Sequence, residues 1–267
     1  MKLLGKPIKQ EIVSQLKQRI SDGETINPYI IYNSESFEAS EYRKLVSNLL
    51  IKLGLTPKSY DVKSLEDAKE VISEANADKL GSVFFCRPLQ FEGENLLFDL
   101  IDPSKDADML STSNFGKLAK RNINYLSGTA RSVSKILDYY NIDVSNKRVL
   151  VIGRSISVGM PIALMMIKRN AFVSLSHSKI DKDQTRLMAE ESDIVVMATG
   201  VRDIITPNEV KAEQTIIDCG YLPDGKGDLG FVPNCKDYTP VPGGVGPATI
   251  ACLIENAFDL VRDSKKN

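Results

Sequence analysis

This chain of 267 residues has one histidine, His177, and four scattered cysteines, Cys86, Cys219, Cys235 and Cys252. Neither a C-x-x-C spacing nor a second histidine is present, which argues against a zinc site, and no metal is expected. One histidine also rules out most His-dependent catalytic schemes, unless His177 is itself the group. The cysteines read as reduced, mostly buried thiols of a cytoplasmic protein. No charge of one sign dominates, since the formal net charge is -1. That leaves no basis for a nucleic-acid partner or an electrostatic membrane patch. No apolar run approaches the roughly 20 residues of a membrane span. The start, Met1-Lys-Leu-Leu-Gly-Lys-Pro7, lacks an apolar signal core, which argues against secretion.

What is present is ordinary for a globular protein, 42% hydrophobic and 26% charged. The length favours two domains. Residues 8–20 carry apolar side chains at helical spacing. Tyr29-Ile-Ile-Tyr32 reads as a strand, and a helix follows from Ser40 to Gly54. A second strand at Tyr60, a helix over 64–75 and a third strand over 81–86 complete a parallel α/β pattern. Ligands of such sheets sit at the carboxyl ends of strands, which points to Cys86, Arg87 and Pro88. Asp102 to Leu110 is acidic. On residue types alone it reads as a solvated turn with capping carboxylates. A helix is expected over 124–140.

The most informative stretch is Arg148-Val-Leu-Val-Ile-Gly-Arg-Ser-Ile-Ser-Val-Gly-Met-Pro161. A buried strand ends at Gly153, a short polar turn follows, and an apolar helix begins after Gly159. Such a turn presents backbone N–H groups and a helix N-terminus to a phosphate. It departs from G-x-G-x-x-G, because Ser155 takes the second glycine position and the last glycine comes one place late. Further βα units follow, with strands at Phe172–Ser176, Asp193–Thr199 and Thr215–Gly220 and a helix over 185–191. NAD proteins commonly place a carboxylate at the end of the second strand. Here that end reads Ser176-His177-Ser178-Lys179, and Arg154 lies in the first turn. Hydroxyls with cations suit a 2′-phosphate, so NADP is favoured over NAD.

Two stretches together, Val151 to Pro161 and Pro240-Val-Pro-Gly-Gly-Val-Gly-Pro-Ala-Thr249, resemble the signatures of the methylenetetrahydrofolate dehydrogenase/methenyltetrahydrofolate cyclohydrolase family, the FolD-type enzymes. The resemblance extends to Gly5-Lys6, to Pro103-Ser-Lys-Asp-Ala-Asp108 with Asn114, Gly116 and Leu118, to His177-Ser178 and to Gly227-Asp228. It implies an α/β fold with a three-layer substrate domain, residues 1–120 and 246–267, completed by the C-terminal helix. It implies a Rossmann-type NAD(P) domain, residues 121–245, with the active site in the cleft between the two. Tetrahydrofolate is then the substrate and NADP the cofactor, with NAD the alternative. Tyr42 and Asp108 are the implied catalytic and substrate-binding residues, joined by Pro242, Gly243 and Gly244. Gly153, Arg154, Ser155, Val158, Gly159, His177, Ser178, Thr199 and Gly200 are the implied cofactor contacts. A homodimer through the Rossmann domain is implied as well.

The departures from the family pattern fall on the substrate side. Its Tyr-x-x-x-Lys reads Tyr42 to Val46, and its glutamine position is Cys86. The glycine after the second aspartate is Met109, and the P-C-T-P-x-G turn reads Ser127-Gly-Thr-Ala-Arg-Ser132. Arg43 and Lys44 fall on other faces of the helix. Arg87 is a nearby cation, but a guanidinium stays protonated and shuttles protons poorly. In the family the lysine and glutamine serve the cyclohydrolase step. The expectation is a dehydrogenase with weak or lost cyclohydrolase. Two alternatives stand beside it: a non-catalytic folate- and nucleotide-binding paralogue, and an oxidoreductase acting on another small substrate.

Overall fold

A computed structural model of the chain describes residues 1–120, 122 and 124–265. Arg121, at the expected domain boundary, and the last two residues lie outside the described residues. The chain divides into two compact units. One is Met1–Gln10 with Leu118–Thr249, and the other is Glu11–Lys117 with Ile250–Asn267. The C-terminal segment from Ile250 groups with residues 11–117, whereas the first ten residues group with residues 118–249. Leu3 N–H donates to the Tyr238 carbonyl at 2.7 Å and Gly5 N–H to the Gly243 carbonyl at 2.9 Å. These backbone bonds tie the start of the chain to the glycine-rich turn near residue 243.

The chain opens with α1 (Lys6–Ser21), β1 (Asn27–Tyr32) and α2 (Phe37–Lys52), continues through β2 (Lys58–Asp61) and α3 (Leu65–Ala77), and reaches β3 (Gly81–Phe85). The strands form a parallel sheet of order β2-β1-β3. Side chains alternate across it. Tyr29, Ile31, Val83 and Phe85 meet Ala68, Val71, Ile72 and Ala75 of α3 in one apolar cluster. Ser64 begins α3 with a reciprocal capping box to Asp67, which satisfies two of the helix's orphan N–H groups. A 3-10 turn, Glu94–Leu100, and α4 (Thr112–Ala119) had no counterpart in the sequence reading. Both are short, and their apolar residues lack a sustained period.

The other unit contains α5 (Gly128–Tyr139), β4 (Arg148–Ile152), α6 (Gly159–Lys168), β5 (Phe172–Ser176), α7 (Lys182–Glu191), β6 (Ile194–Met197), β7 (Thr215–Asp218) and β8 (Asp237–Tyr238). The last helix is α8 (Gly246–Ser264). α5 starts four residues later than the 3.6-residue period suggested, because residues 124–127 form a turn. The sheet is parallel throughout, in the order β5-β4-β6-β7-β8. This is the doubly wound order 2-1-3-4-5, whose ligands sit where the order reverses, between the first and third strands. β8, two residues long, was too short to be read from sequence. Among the described residues, no helix is long and apolar enough to cross a membrane.

Candidate functional site

Asp108 follows a scaffold of buried charges. Lys105 is buried, and its ammonium donates to the carbonyls of Ala75 at 3.0 Å, Asn76 and Asp78. It thus caps the C-terminal end of α3. Asp106 is fully buried and accepts from Leu110 N–H at 3.2 Å, Ser111 N–H at 2.8 Å and Asn114 Nδ2 at 3.1 Å. Asn256 of α8 donates to the Ala107 carbonyl at 3.0 Å. The 102–110 stretch is therefore not a solvated turn. Its lysine and first aspartate are fixed inside, and they set the backbone that carries Asp108. Met109, at the family's glycine position, has φ 58°. The backbone is left-handed here without a glycine.

Asp108 accepts a hydrogen bond from Phe85 N–H, at the end of β3, at 2.9 Å. Burial raises its carboxyl to about 7, against the lowering effect of that bond; Asp106 raises it further and Arg87 lowers it. Tyr42, on α2, has its phenol pushed well above the usual range by burial, then by the charges of Asp108 and Cys86. Cys86 is fully buried. Burial and Asp108 push its thiol up, and the Arg43 charge opposes them. Tyr42, Cys86 and Asp108 thus form one electrostatic group. Val46 is fully buried on the same helix, one turn beyond Tyr42. Arg87 is already committed, since its Nε pairs with the Glu94 carboxylate and its guanidinium lies 5.2 Å from the Phe98 ring centroid. Lys44 pairs with Glu41 at 2.6 Å on the surface. Arg43, on another face of the helix than Tyr42 and Val46, is half-buried. Its guanidinium stacks 5.0 Å from the Tyr32 ring centroid at the end of β1.

In the other unit, the ends of β4, β5 and β6 surround a cavity of about 350 Å³. Six expected cofactor residues line it: Gly153, Arg154, Ser155, His177, Ser178 and Thr199. Ile152, Ser176, Ile180, Lys182, Thr185, Ala198, Val201 and Ile204 also line it and are not among the residues expected to contact the cofactor. No motif marks them as cofactor contacts. Their common signal is position, at or just beyond the carboxyl ends of three parallel strands. No lining residue is a carboxylate.

Three expected residues act behind that wall. Gly159 packs on the turn, where a Cβ would stand 1.9 Å from the Gly153 carbonyl oxygen. Gly153 itself has φ +116°, and a Cβ there would meet the Ala198 carbonyl oxygen at 2.1 Å. Val158 N–H donates to Ser155 Oγ at 3.2 Å, which folds the loop inward. Gly200 N–H donates to Asp228 at 3.1 Å, and Thr199 N–H to the same oxygen at 2.7 Å. The Gly227-Asp228 pair is thus a buried brace for the end of β6. A Cβ on Gly227 would collide with Asp218 Oδ2 at 2.2 Å.

The turn carrying Pro242, Gly243 and Gly244 lies in the same unit as the cavity. Gly243 has φ +112°, and Gly244 N–H donates to the Pro240 carbonyl at 2.6 Å. A Cβ on Gly244 would stand 2.6 Å from that carbonyl oxygen. Tyr42 and Asp108 lie in the other unit.

Residues 127–265 match the family described as tetrahydrofolate dehydrogenase/cyclohydrolase, NAD(P)-binding domain. The bifunctional protein FolD 2 of Lactobacillus johnsonii is 32% identical over 268 residues, covering 96% of this chain and 94% of that one. The 5,10-methylenetetrahydrofolate dehydrogenase of the silkworm, Bombyx mori, superposes with a TM-score of 0.90 at 28% identity, covering 100% of this chain and 99% of that one. The bifunctional dehydrogenase/cyclohydrolase of Thermoplasma acidophilum does so with a TM-score of 0.88 at 29% identity, covering 100% of each.

Proposed function

The chain belongs to the tetrahydrofolate dehydrogenase/cyclohydrolase family, and we propose that it acts as a cytosolic 5,10-methylenetetrahydrofolate dehydrogenase with weak or no cyclohydrolase activity. The observation that carries this reading is the pairing of Val46 with Cys86. Both are fully buried, and neither can handle a proton at neutral pH.

The two reactions ask different things of the protein. In the oxidation, the bridging CH₂ of the folate loses a C–H bond with its electron pair, and a nitrogen lone pair closes the C=N⁺ bond of the methenyl cation. No proton moves. Bound NADP supplies the hydride acceptor. The protein has only to position the substrate and favour positive charge. Asp108 serves both ends, because its carboxylate pairs with pterin N–H donors and attracts the cationic product. Tyr42 offers a flat face to the ring. Hydrolysis is different. Water must add to the methenyl carbon and lose a proton, and one C–N bond must break. That step needs a base and a steering partner. At the positions where the family carries lysine and glutamine, this chain offers an isopropyl group and a protonated thiol.

The cavity at the β4/β6 switch point fits a dinucleotide. Gly153 and Gly159 let backbone approach backbone, and Ser155 and the N-terminus of α6 suit a phosphate. Arg154 and Lys182 with Ser178, and no carboxylate in the lining, favour NADP over NAD. Comparison of kcat/KM for NADP and NAD with 5,10-methylenetetrahydrofolate tests this reading. A preference for NAD contradicts the cofactor assignment, and no turnover with either contradicts the activity.

The expected homodimer has a candidate surface in β5, the edge strand of its sheet, which leaves Phe172 68% exposed. An exposed edge strand is a template for pairing. Sedimentation of the wild type and of Phe172→Lys tests it. A wild-type monomer contradicts the dimer.

A further inference from the structure

We propose that Arg43 is a substrate-binding residue, its guanidinium Nε–H donating to an oxygen acceptor of the folate, either a carbonyl or a carboxylate oxygen. The inference rests on the reading that folate is the substrate. α2 carries Arg43 on the half-buried flank of its inward face, where the guanidinium stacks on Tyr32. The Nε is buried and finds no acceptor among the described residues. A buried cationic N–H without a partner is costly to the folded protein and is retained where a ligand satisfies it. One helical turn on, Ser47 Oγ is also buried and without a partner among the described residues. Positions i and i+4 share a face, so α2 presents two unpaired polar atoms along one stripe.

The neighbouring cations are committed elsewhere. Arg87 pairs with Glu94, Lys63 lies 3.1 Å from Asp61, and Lys105 caps α3. Arg43 is also within electrostatic reach of the Tyr42–Cys86–Asp108 group, since its charge acts on the Cys86 thiol. It therefore supplies the pocket with the positive charge that Val46 does not. A guanidinium does not release its proton in the working range. Arg43 can hold and orient an acceptor but cannot serve hydrolysis as a lysine could. Stacking on Tyr32 fixes the plane of the fork, which lowers the entropy lost on binding.

The test is equilibrium binding of tetrahydrofolate, of tetrahydropteroate and of NADP, by calorimetry, to the wild type, Arg43→Gln and Arg43→Lys. Arg43→Gln is expected to weaken tetrahydrofolate binding by about tenfold or more, leave NADP binding unchanged, and be partly rescued in Arg43→Lys. An equal loss with tetrahydropteroate assigns the acceptor to the pterin or benzoyl part. A loss seen only with tetrahydrofolate assigns it to the glutamate carboxylates. Should Arg43→Gln not fold, Tyr32→Leu removes the stacking platform and carries the same expectation. Unchanged folate binding in the variant, or an equal loss for NADP, overturns the role of Arg43 alone. A wild type that binds no tetrahydrofolate overturns the folate reading and this inference together.

Discussion

The backbone N–H of Phe85 donates to the carboxylate of Asp108 at 2.9 Å, joining the end of β3 to the acidic side chain proposed to hold the folate. A single donor does not offset the burial around it, and the carboxyl stands at about 7. Pterin N–H groups pair with the ionised form. The value of kcat/KM for methylenetetrahydrofolate should therefore rise with pH through about 7 and level off above it. A pH profile of initial rates checks this. The limb should be absent in any residual activity of Asp108→Asn.

The same shift has a stability consequence. Below the ordinary carboxylate range, folded and unfolded chains both hold the proton and nothing is lost. Between that range and about 7, the folded chain keeps a proton the unfolded chain has shed, so stability falls as pH rises. Asp108→Asn should then stabilise the protein at pH 8 by on the order of 2–4 kcal/mol and hardly at all at pH 4. Urea midpoints at the two pH values measure the difference. The more stable variant should be the less active one.

Lys105 is a structural cation. Replacing it with Met strands the carbonyls of Ala75 and Asn76 at the end of α3 and leaves that of Asp78 with the Gly81 N–H alone. The expected loss is about 2–4 kcal/mol, because buried acceptors are left unpaired. Thermal unfolding of Lys105→Met against the wild type reports it, and NADP binding to the folded fraction should not change.

Arg154 lines the nucleotide cavity beside Ser155 and Ser178. Loss of a charge-assisted bond to a phosphate costs about 1.5–3 kcal/mol. Arg154→Ala should raise the KM for NADP by roughly tenfold or more and leave the KM for NAD nearly unchanged. Parallel steady-state titrations with the two nucleotides decide it.

The parts legible in the sequence were those governed by local rules. The strand and turn at Val149–Gly159 showed themselves through an apolar run, two glycines and a following helix. The observed β4, Gly153 conformation and α6 follow from the same features. Parallel βα succession was likewise visible in both halves. What stayed hidden depends on distant partners. Lys105 read as a solvent-facing charge because its acceptors, such as the Ala75 carbonyl, lie far back along the chain. Helical spacing sets Arg43 on another face than Tyr42 and Val46 but does not show what a long side chain there can reach. Its platform, Tyr32, lies on another element. Lys182 and Thr185 carried no motif, and only the sheet order placed them beside His177. The grouping of residues 1–10 with the nucleotide-side unit rests on backbone bonds, which leave no trace in residue type.

On the proposed function, Val46 and Cys86 leave a pocket able to oxidise its substrate and unable to hydrolyse the product. The direct measurement follows NADPH and the methenyl absorbance together, with purified protein, 5,10-methylenetetrahydrofolate and NADP. The expected result is one methenyl product per NADPH, decaying no faster than in enzyme-free buffer. NADPH accumulating while the methenyl product disappears faster than in buffer would contradict the account.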